Sequence, residues 1–341
     1  MRVTLKKISE EAGVSMTTVS NVINNKTTRV SQETADLVRA VIKKYNYVPN
    51  LTARSLATNS SRLIGVLYNN IDLELKFSDP FIGEFLDGFS REATENNFYT
   101  FIHQMTSIED IEELQKQWLF AGFVGVGFNG PLALKLSEKV NHPIVFVDTY
   151  FEDEQTLECF VVRTDDFKAG YDATQHLMEK GHTEVAFIGY SFDPKAPSVI
   201  QQRYKGFSKA FADALGEAEM TTRTTLYNEF QFEEILHAIQ AKQITSLVVS
   251  ADNLAIRLIN YLKLAGAYQN VSIISFDNIE LASIIDPPLT TISLFQSEKG
   301  EQALKVLAET IDSDTISLRI THIEGLLVER KTVHPLNNNE S

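Results

Sequence analysis

From Leu63 onward, short apolar runs alternate with amphipathic stretches of helix length, and this alternation limits the possible folds more than any other feature. Seven runs have the length of buried strands: residues 63–70, 98–104, 122–128, 143–149, 184–190, 246–252 and 272–278. The stretches that predict helices are residues 80–97, 166–181, 201–216 and 252–266. Strands that alternate with helices form parallel sheets covered on both faces. The pattern therefore predicts an α/β body with two sheets, one before and one after residue 162.

The first sixty residues follow a different pattern, in which three helices precede any strand. Their segments 5–12, 15–24 and 31–46 have helical periodicity. In the first two, apolar residues fall on one face: Leu5, Ile8 and Ala12, then Val19, Val22 and Ile23. Gly13 turns easily through positive φ, and Ser15 is placed to cap the second helix. This arrangement predicts an N-terminal all-α helix-turn-helix headpiece.

The net charge of −14 is unevenly distributed along the chain. The first sixty residues carry nine Lys and Arg against four Asp and Glu, a net charge of +5, so the remainder carries −19. A basic N-terminal segment followed by an acidic remainder is typical of a protein whose basic segment binds a polyanion. Chance variation in a short segment is the alternative explanation for the charge taken alone.

The second helix of a helix-turn-helix lies in the major groove of DNA, with its N-terminal residues at the base edges. Met16, Thr17 and Asn21 are therefore the predicted base-contacting residues. Three further polar residues are predicted to reach phosphates, namely Thr18, Ser20 and Asn24. An Asn side chain pairs well with adenine, and Met or a Thr methyl group suits a thymine methyl. A three-helix cap without a DNA partner is the alternative.

Residues 3–24, 30–50 and 50–58 resemble the headpiece and hinge helix of the lactose/galactose repressor (LacI-type) family. The resemblance implies that Leu56 enters the minor groove and that Ala53 lets two paired hinges approach each other. It also adds four residues to the predicted DNA-binding set, namely Thr4, Ser15, Arg29 and Asn50. Many family members have Arg at the position of Asn21, so this chain is expected to prefer a different operator half-site.

The segment 50–60 has a physical interpretation of its own. Pro49 ends the third helix, and the short polar segment behind it has too few turns to be a stable helix alone in water. The segment is therefore expected to fold on binding DNA, with Leu56 as a wedge between base steps. A linker whose Leu56 packs on the body is the alternative.

The family resemblance extends to about residue 332 and implies two Rossmann-like subdomains, as in periplasmic sugar-binding proteins. The implied domains are the headpiece (1–49), the hinge helix (50–60) and an effector-binding and dimerisation core (61–341). Subdomain one is expected at about 62–162 and 293–321, and subdomain two at about 163–292 and 322–333. The effector residues carried over from the family are Asp79, Phe81, Asp148, Arg203, Phe230, Asp252 and Asp277. Leu294 replaces the Gln that members often have, with Gln296 nearby.

This residue set suits a sugar. Carboxylates accept hydrogen bonds from vicinal hydroxyls, and the planar Arg guanidinium donates several hydrogen bonds in a fixed geometry. A Phe ring stacks on the apolar face of a sugar ring. Four carboxylates with one Arg would repel a phosphate, which favours a neutral polyol. Two alternatives stay open from the residues alone. Asp252 is equally suited to cap the helix that follows it, and Arg203 on a helix is equally suited to be a solvated surface charge.

One pattern favours an enzyme instead, since residues 125–130 read G-x-G-x-x-G and Asp148 follows at the spacing of a dinucleotide-binding acid. Pro131 and the short helix behind it argue against a pyrophosphate site, so an NAD-dependent oxidoreductase is only a remote alternative. His182, in a turn, is expected to be structural. The sequence contains neither H-E-x-x-H nor G-x-S-x-G. No enzyme activity, cofactor or metal site is therefore predicted.

The sequence thus predicts a dimeric repressor that binds a pseudo-palindromic, double-stranded DNA operator of a carbohydrate-utilisation operon under the control of a sugar. A global catabolite regulator with a phosphoprotein co-repressor is the alternative. A single cysteine, Cys159, and the lack of any apolar run of membrane-spanning length predict a cytoplasmic protein without a membrane partner.

Overall fold

The structure is a computed structural model that describes residues 3–23, 30–47, 61–71, 77–155, 159–311 and 319–336. The chain divides into two compact units, Met1–Ser61 and Arg62–Ser341. The predicted hinge helix, residues 50–60, lies outside the described residues.

The described residues of the first unit, 3–23 and 30–47, form three helices: α1 (Leu5–Ala12), α2 (Met16–Ile23) and α3 (Gln32–Lys44). Gly13 has a φ of 65° and ends α1, and the Ser15 Oγ accepts from the Thr18 amide at 3.0 Å at the start of α2. Both local predictions are confirmed. The helices enclose a small apolar core, formed by Ile8, Ala12, Val19, Val22, Ala35, Val38 and Val41.

The second unit contains two six-stranded sheets, and the first of them is parallel throughout. Its strands are β1 (Leu63–Asn69), β2 (Tyr99–Met105), β3 (Gly122–Val126), β4 (Ile144–Val147), β5 (Phe160–Thr164) and β11 (Arg319–Ile323), in the spatial order β11-β5-β4-β3-β1-β2. Helices α4 (Pro80–Glu95) and α13 (Gln296–Ile311) cover one face. Helices α5 (Asp110–Gln117) and α6 (Gly130–Lys139) cover the other.

The second sheet has the same plan with one antiparallel edge strand. Its strands are β6 (Val185–Gly189), β7 (Thr224–Asn228), β8 (Ser246–Val249), β9 (Ser272–Asp277), β10 (Thr290–Ser293) and the antiparallel β12 (Leu326–Val328), in the order β12-β10-β9-β8-β6-β7. Helices α7 (Asp166–Glu179) and α8 (Val199–Leu215) cover one face. Helices α10 (Phe232–Gln240) and α11 (Asp252–Leu264) cover the other face. This half also contains two short helices, α9 (Glu217–Arg223) and α12 (Glu280–Ile284).

The chain passes between the two sheets three times: from β5 to α7, from β10 to α13, and from β11 to β12. In each sheet the strand order reverses beside the first strand of the sheet, β1 or β6. Ligands of open parallel sheets bind beyond the carboxyl ends of the strands at such a reversal. The fold therefore positions a candidate ligand site at these strand ends in each half.

Each sheet also carries one pair of closely packed helices. On the first sheet, a Cβ atom at Gly88 of α4 would overlap the Ser297 carbonyl oxygen of α13. On the second, a Cβ atom at Gly206 of α8 would overlap the Phe167 carbonyl oxygen of α7. Both helix pairs depend on the absence of a side chain at the crossing point.

Every predicted strand and helix of the body is present, with shifts at the ends. The largest concerns the run 246–252, where β8 ends at Val249 and Asp252 is already the first residue of α11. Five strands were not predicted from the sequence, namely β5, β7, β10, β11 and β12. In the part of the chain that the structure describes, no helix is long and apolar enough to span a membrane.

Candidate functional site

The candidate DNA-reading surface is the solvent face of α2. Met16 and Thr17 are exposed and Asn21 is half-buried, while Val19 and Val22 on the opposite face are fully buried in the core of the first unit. The helix therefore presents its first turn and Asn21 outward, as base contacts in a major groove require.

Two of the predicted DNA-binding hydroxyls cap helices. The Thr4 Oγ1 accepts from the Lys7 amide at 3.3 Å, and the Ser15 Oγ lies 2.9 Å from the Thr18 Oγ1 in addition to its bond with the Thr18 amide. Ser20 is half-buried. Capped helix N-termini carry partial positive charge and suit phosphate oxygens. The remaining predicted residues, Asn24, Arg29, Asn50, Ala53 and Leu56, lie outside the described residues.

The candidate effector site lies at the carboxyl ends of the strands of the second unit, and its first element is an ion pair. Asp148 follows β4 with a φ of 53°, and its two carboxylate oxygens lie 2.9 and 2.8 Å from the Lys299 Nζ. Lys299 is fully buried on α13, with its Nζ 6.0 Å from the centre of the Phe81 ring. Lys299 was not predicted from the sequence, although it lies between Gln296 and Ala303 on the buried face of an amphipathic helix.

A second ion pair surrounds Arg203, which is only 5% exposed. Its Nε donates to the Asp166 Oδ1 at 2.8 Å and its Nη1 to the Ser250 carbonyl oxygen at 2.6 Å. The guanidinium carbon lies 4.8 Å from the centre of the Phe276 ring. The interpretation of Arg203 as a solvated surface charge is therefore wrong. The Tyr150 hydroxyl donates to the other Asp166 oxygen at 2.8 Å, and neither residue was predicted.

Asp252 is fully buried and holds two strands of the second sheet together. It accepts from the Ser275 hydroxyl, from the Thr291 Oγ1 at 2.7 Å and from the Ile279 amide at 3.0 Å. Burial raises the pKa of this carboxyl. The N-cap of α11 is Ala251, so Asp252 does not cap its own helix. These bonds give Asp252 a structural role, and an effector contact by it stays a prediction.

Asp277, the last residue of β9, is partly buried with a φ of 111°. Burial raises the pKa of its carboxyl to about 8 against the lowering effect of Arg203, and the charges of Asp252 and Asp79 act in the same direction as burial. Asp79 caps α4 by accepting from the Phe81 amide at 3.0 Å. These electrostatic interactions link Asp79 of the first half with Asp277 of the second.

Phe81 and Phe230, the two predicted aromatic contacts, differ in their surroundings. Phe81 is half-buried and stacks on Phe85 with ring centres 6.4 Å apart. Phe230 is 80% exposed in the loop after β7, where its amide donates to the Asn228 Oδ1. Of the seven predicted effector residues, Phe230 is the only one that is largely exposed, and its contact with an effector stays a prediction.

Glu84 is a further acid at this site that sequence reasoning missed. It lies on α4, one turn after Phe81, and is half-buried. Burial raises its pKa, and the charges of Asp252 and Glu280 in the second half raise it further. The acids of the two halves therefore act on one another across the space between the sheets.

The glycine pattern at residues 125–130 has a packing explanation. A Cβ atom at Gly125 would lie 2.8 Å from the Phe146 ring, and one at Gly130 would lie 2.7 Å from the Tyr150 carbonyl oxygen. The Asn129 Oδ1 caps α6 by accepting from the Leu132 amide at 3.0 Å. The Asn129 side chain thus takes up a backbone amide at the start of α6 that would otherwise donate to a pyrophosphate. Among the described residues, no three His, Cys, Asp or Glu side chains are grouped to hold a metal ion.

Two family models match the chain. Residues 4–50 match bacterial regulatory proteins of the lacI family, and residues 174–333 match the periplasmic binding protein-like domain. The HTH-type transcriptional repressor PurR of Vibrio atlanticus (strain LGP32) is 30% identical over 98% of this chain and 99% of its own length.

Two solved structures are similar to the whole chain. The lac repressor dimer bound to operator and the anti-inducer ONPF has a TM-score of 0.81 at 22% identity and covers 98% of this chain and 100% of its own. The complex of the transcriptional regulator CelR with cellobiose has a TM-score of 0.67 at 23% identity, over 97% of this chain and 100% of its own. At these identities the two structures establish a common fold.

Proposed function

The chain belongs to the lacI family of bacterial regulatory proteins, and on that premise we propose that it represses a carbohydrate-utilisation operon as a homodimer controlled by a sugar-like effector. The observation that carries the proposal is the outward face of α2, where Met16, Thr17 and Asn21 lie opposite a buried apolar face on a basic unit. Such a face reads base edges, and the surrounding positive charge binds phosphates.

The proposed domains are those expected from the sequence, with the reader at 1–49, the hinge at 50–60 and the core at 61–341. Support for the division comes from the separation of the two compact units at Ser61. The three passages of the chain between the sheets support two subdomains, at about 62–162 with 293–321 and 163–292 with 322–333.

Exposed apolar side chains support the homodimer. On the first half they cluster at the edge strand β2 and beside it, where Tyr99, Ile102 and Trp118 are exposed. On the second half, Leu264 is 83% exposed and Ile284 is 70% exposed. Apolar groups of this kind mark protein interfaces, and a dimer matches two recognition helices to a pseudo-palindromic operator.

The effector is proposed to bind at the strand ends that carry Asp148, Arg203 and Asp277. Support comes from their position at the carboxyl ends of the parallel strands of the two sheets, where ligands of such folds bind. The relatives are repressors, and we propose that the chain has no enzymatic activity and acts in the cytoplasm.

Selection of a DNA ligand from a random duplex library, followed by fluorescence anisotropy on the full chain, tests the DNA-binding part. A selected pseudo-palindrome should bind at least about 10³-fold more tightly than an unrelated duplex, and its affinity should fall steeply with salt. Equal affinity for both duplexes would contradict the proposal. A thermal-shift screen with sugars then identifies the effector, since a ligand of the native state raises the melting temperature.

A further inference from the structure

The loop that follows β4 carries two residues of the candidate effector site and has little backbone support. Asp148, its first residue, is bonded to Lys299, and Tyr150 donates to the Asp166 Oδ2 at 2.8 Å. From 149 to 152, no residue of the loop forms a backbone-to-backbone hydrogen bond with the described part of the chain. The direction of the Tyr150 hydroxyl therefore depends on the side chains that pack against the loop.

One side chain, that of Arg163 on β5, contacts the loop in three places. Its guanidinium carbon lies over the Tyr150 ring, 4.1 Å from the ring centre. Its Nη1 donates to the Thr149 carbonyl oxygen at 3.2 Å. Its two terminal nitrogens also donate to the two Glu154 carboxylate oxygens, at 2.6 and 3.0 Å. Arg163 thus holds the loop before and after Tyr150 and contacts the ring itself.

The Arg163–Glu154 pair is largely enclosed and has a fixed geometry. The Arg163 side chain is 7% exposed and the Glu154 side chain 29%. Burial acts to raise the pKa of Glu154, yet the bonds from Arg163 bring this pKa below its ordinary value, so the pair is ionised at neutral pH. A bidentate pair of this kind fixes the planes of both groups, which a lysine at the same position could not do.

Stability does not account for the presence of this pair. The first three residues of β5, Phe160, Val161 and Val162, are apolar and buried. Removing two charges from water costs about as much as their attraction returns, and apolar residues of similar size are often at least as stabilising. The Arg163 Nε adds to this cost, because it is buried without a hydrogen-bond partner among the described residues. What the pair does provide is a single conformation of the loop.

We propose that Arg163 is a positioning residue of the effector site. It aims the Tyr150 hydroxyl at Asp166, and Asp166 in turn orients Arg203 by accepting from its Nε at 2.8 Å. A second acceptor, the Thr164 carbonyl oxygen, lies 3.1 Å from the hydroxyl, so the ring must be held in place for its single proton to go to Asp166. The proposal rests on the proposed function and concerns the regulation of that same site.

The double variant Arg163→Met/Glu154→Leu tests the proposal, because it removes both charges and keeps most of the side-chain volume. The measured quantity is solvent exchange of the Arg203 Nε proton, observed by NMR in the full chain with isotope-labelled arginine and identified by its loss in Arg203→Lys. Exchange should be about 3- to 10-fold faster in the double variant, because the bond to Asp166 loses its fixed acceptor. Unchanged exchange overturns the proposal.

Tyr150→Phe separates a positioning role from a structural one. If Arg163 acts through the Tyr150 hydroxyl, adding the double substitution to Tyr150→Phe should speed exchange no further. Equal effects in both backgrounds would assign the pair to general support of the fold and overturn the proposal. Arg163→Lys should behave like the double variant, because an ammonium group cannot form the bidentate pair. Wild-type exchange in Arg163→Lys would make charge alone sufficient, which also overturns it.

Arg91→Met/Glu301→Leu is the matched control, since it removes a pair of the same residue types from the same half. This pair joins α4 and α13 at 2.8 Å, with the Arg91 side chain 54% exposed. The control should keep wild-type exchange of the Arg203 Nε proton. A control that changes as much as the double variant would show a nonspecific effect and contradict the proposal.

Sugar binding separates failure of the inference from failure of the proposed function. D-Glucose, D-galactose, D-ribose and cellobiose are the calorimetric probes, and any that the wild type binds should bind about 3- to 10-fold more weakly to the double variant. Equal affinity makes the inference wrong and leaves the proposed function standing. If the wild type binds none of the four, the sugar-effector part of the proposed function is contradicted, and the exchange measurements alone decide the role of Arg163.

Discussion

At the residue scale, two acids of the candidate effector site, and the residue that follows one of them, are held in backbone conformations that residues with side chains rarely adopt. Asp148 has a φ of 53°, Asp277 of 111° and Asn278 of 60°. Arg330 holds Asn278 in place by donating to its Oδ1 at 2.6 Å, and it also donates to the Leu289 carbonyl oxygen at 2.8 Å. Conformations of this kind cost energy and persist where surrounding contacts fix them, which is common at ligand sites.

The raised pKa of Asp277, about 8, predicts that the protein loses stability as the pH rises. An unfolded Asp releases its proton near pH 4, so between about pH 4 and 8 the folded chain holds a proton that the unfolded chain has lost. The free energy of unfolding should therefore fall across this interval. In Asp277→Asn the fall from pH 5 to pH 8.5, measured by urea unfolding, should be smaller by on the order of 1–3 kcal/mol. Identical pH profiles for the two proteins would contradict the assignment.

Asn21→Ala should change base preference at one position of each operator half-site. Loss of a paired side chain should cost about 1–3 kcal/mol with the preferred base and little with the others, as measured by anisotropy on single-base operator variants. A uniform loss on every sequence would make Asn21 a phosphate contact instead.

At the element scale, the sequence pattern predicted six strands that are almost wholly buried and one edge strand, β2, that is partly exposed. It missed β7, β11 and β12, which are three of the four edge strands, because an edge strand is only partly covered and its apolar pattern is weak. It missed β10 for another reason, since Thr290 and Thr291 are fully buried yet polar, each bonded to groups outside the strand: the Arg330 amide and the Asp252 carboxylate. Buried charged residues of the candidate effector site, such as Lys299, were missed for the same reason. Burial of a charged side chain depends on a partner distant in sequence.

The close helix pairs predict opposite effects for two glycines of α4. Gly88→Ala should destabilise the protein by roughly 2–3 kcal/mol or more, because the new Cβ atom would overlap the Ser297 carbonyl oxygen of α13 and force the helices apart. Gly83→Ala is the control, since no atom lies within 4 Å of its Cβ position, and it should stabilise the helix by about 0.5–1 kcal/mol. Urea unfolding measures both, and equal effects would refute the packing argument.

At the scale of the whole molecule, one hydrogen-bonded path leads from the first half to the second. Tyr150, which follows β4, donates to Asp166 just after the first passage between the sheets, and Asp166 binds Arg203. Arg203 in turn donates to Ser250 at the end of β8. The two halves can adopt more than one relative arrangement, and an effector that contacts both halves binds one arrangement more tightly than another. This difference in affinity shifts the equilibrium between the arrangements.

Tyr150→Phe should shift the midpoint of the effector response by about 3- to 10-fold, because one hydrogen bond of about 0.5–1.5 kcal/mol is lost between the halves. Tyr171→Phe is the control, since the Tyr171 hydroxyl makes only an exposed contact with Asp213, at 3.5 Å. Operator anisotropy at increasing concentrations of the effector measures the midpoint. A Tyr150→Phe midpoint equal to that of the wild type would show that the path does not couple the halves.

The three passages between the sheets also determine when the protein can fold during its synthesis. The helix and strand that complete the first sheet, α13 and β11, follow the whole of the second sheet except β12. A growing chain that has reached residue 290 therefore still exposes the surface that Ala303, Leu304 and Leu307 will cover. Domains usually fold one after another as they leave the ribosome, whereas these two halves must finish together near the end of translation. Chains cut short after residue 290 are expected to aggregate or be degraded, so premature termination should leave no partly active repressor.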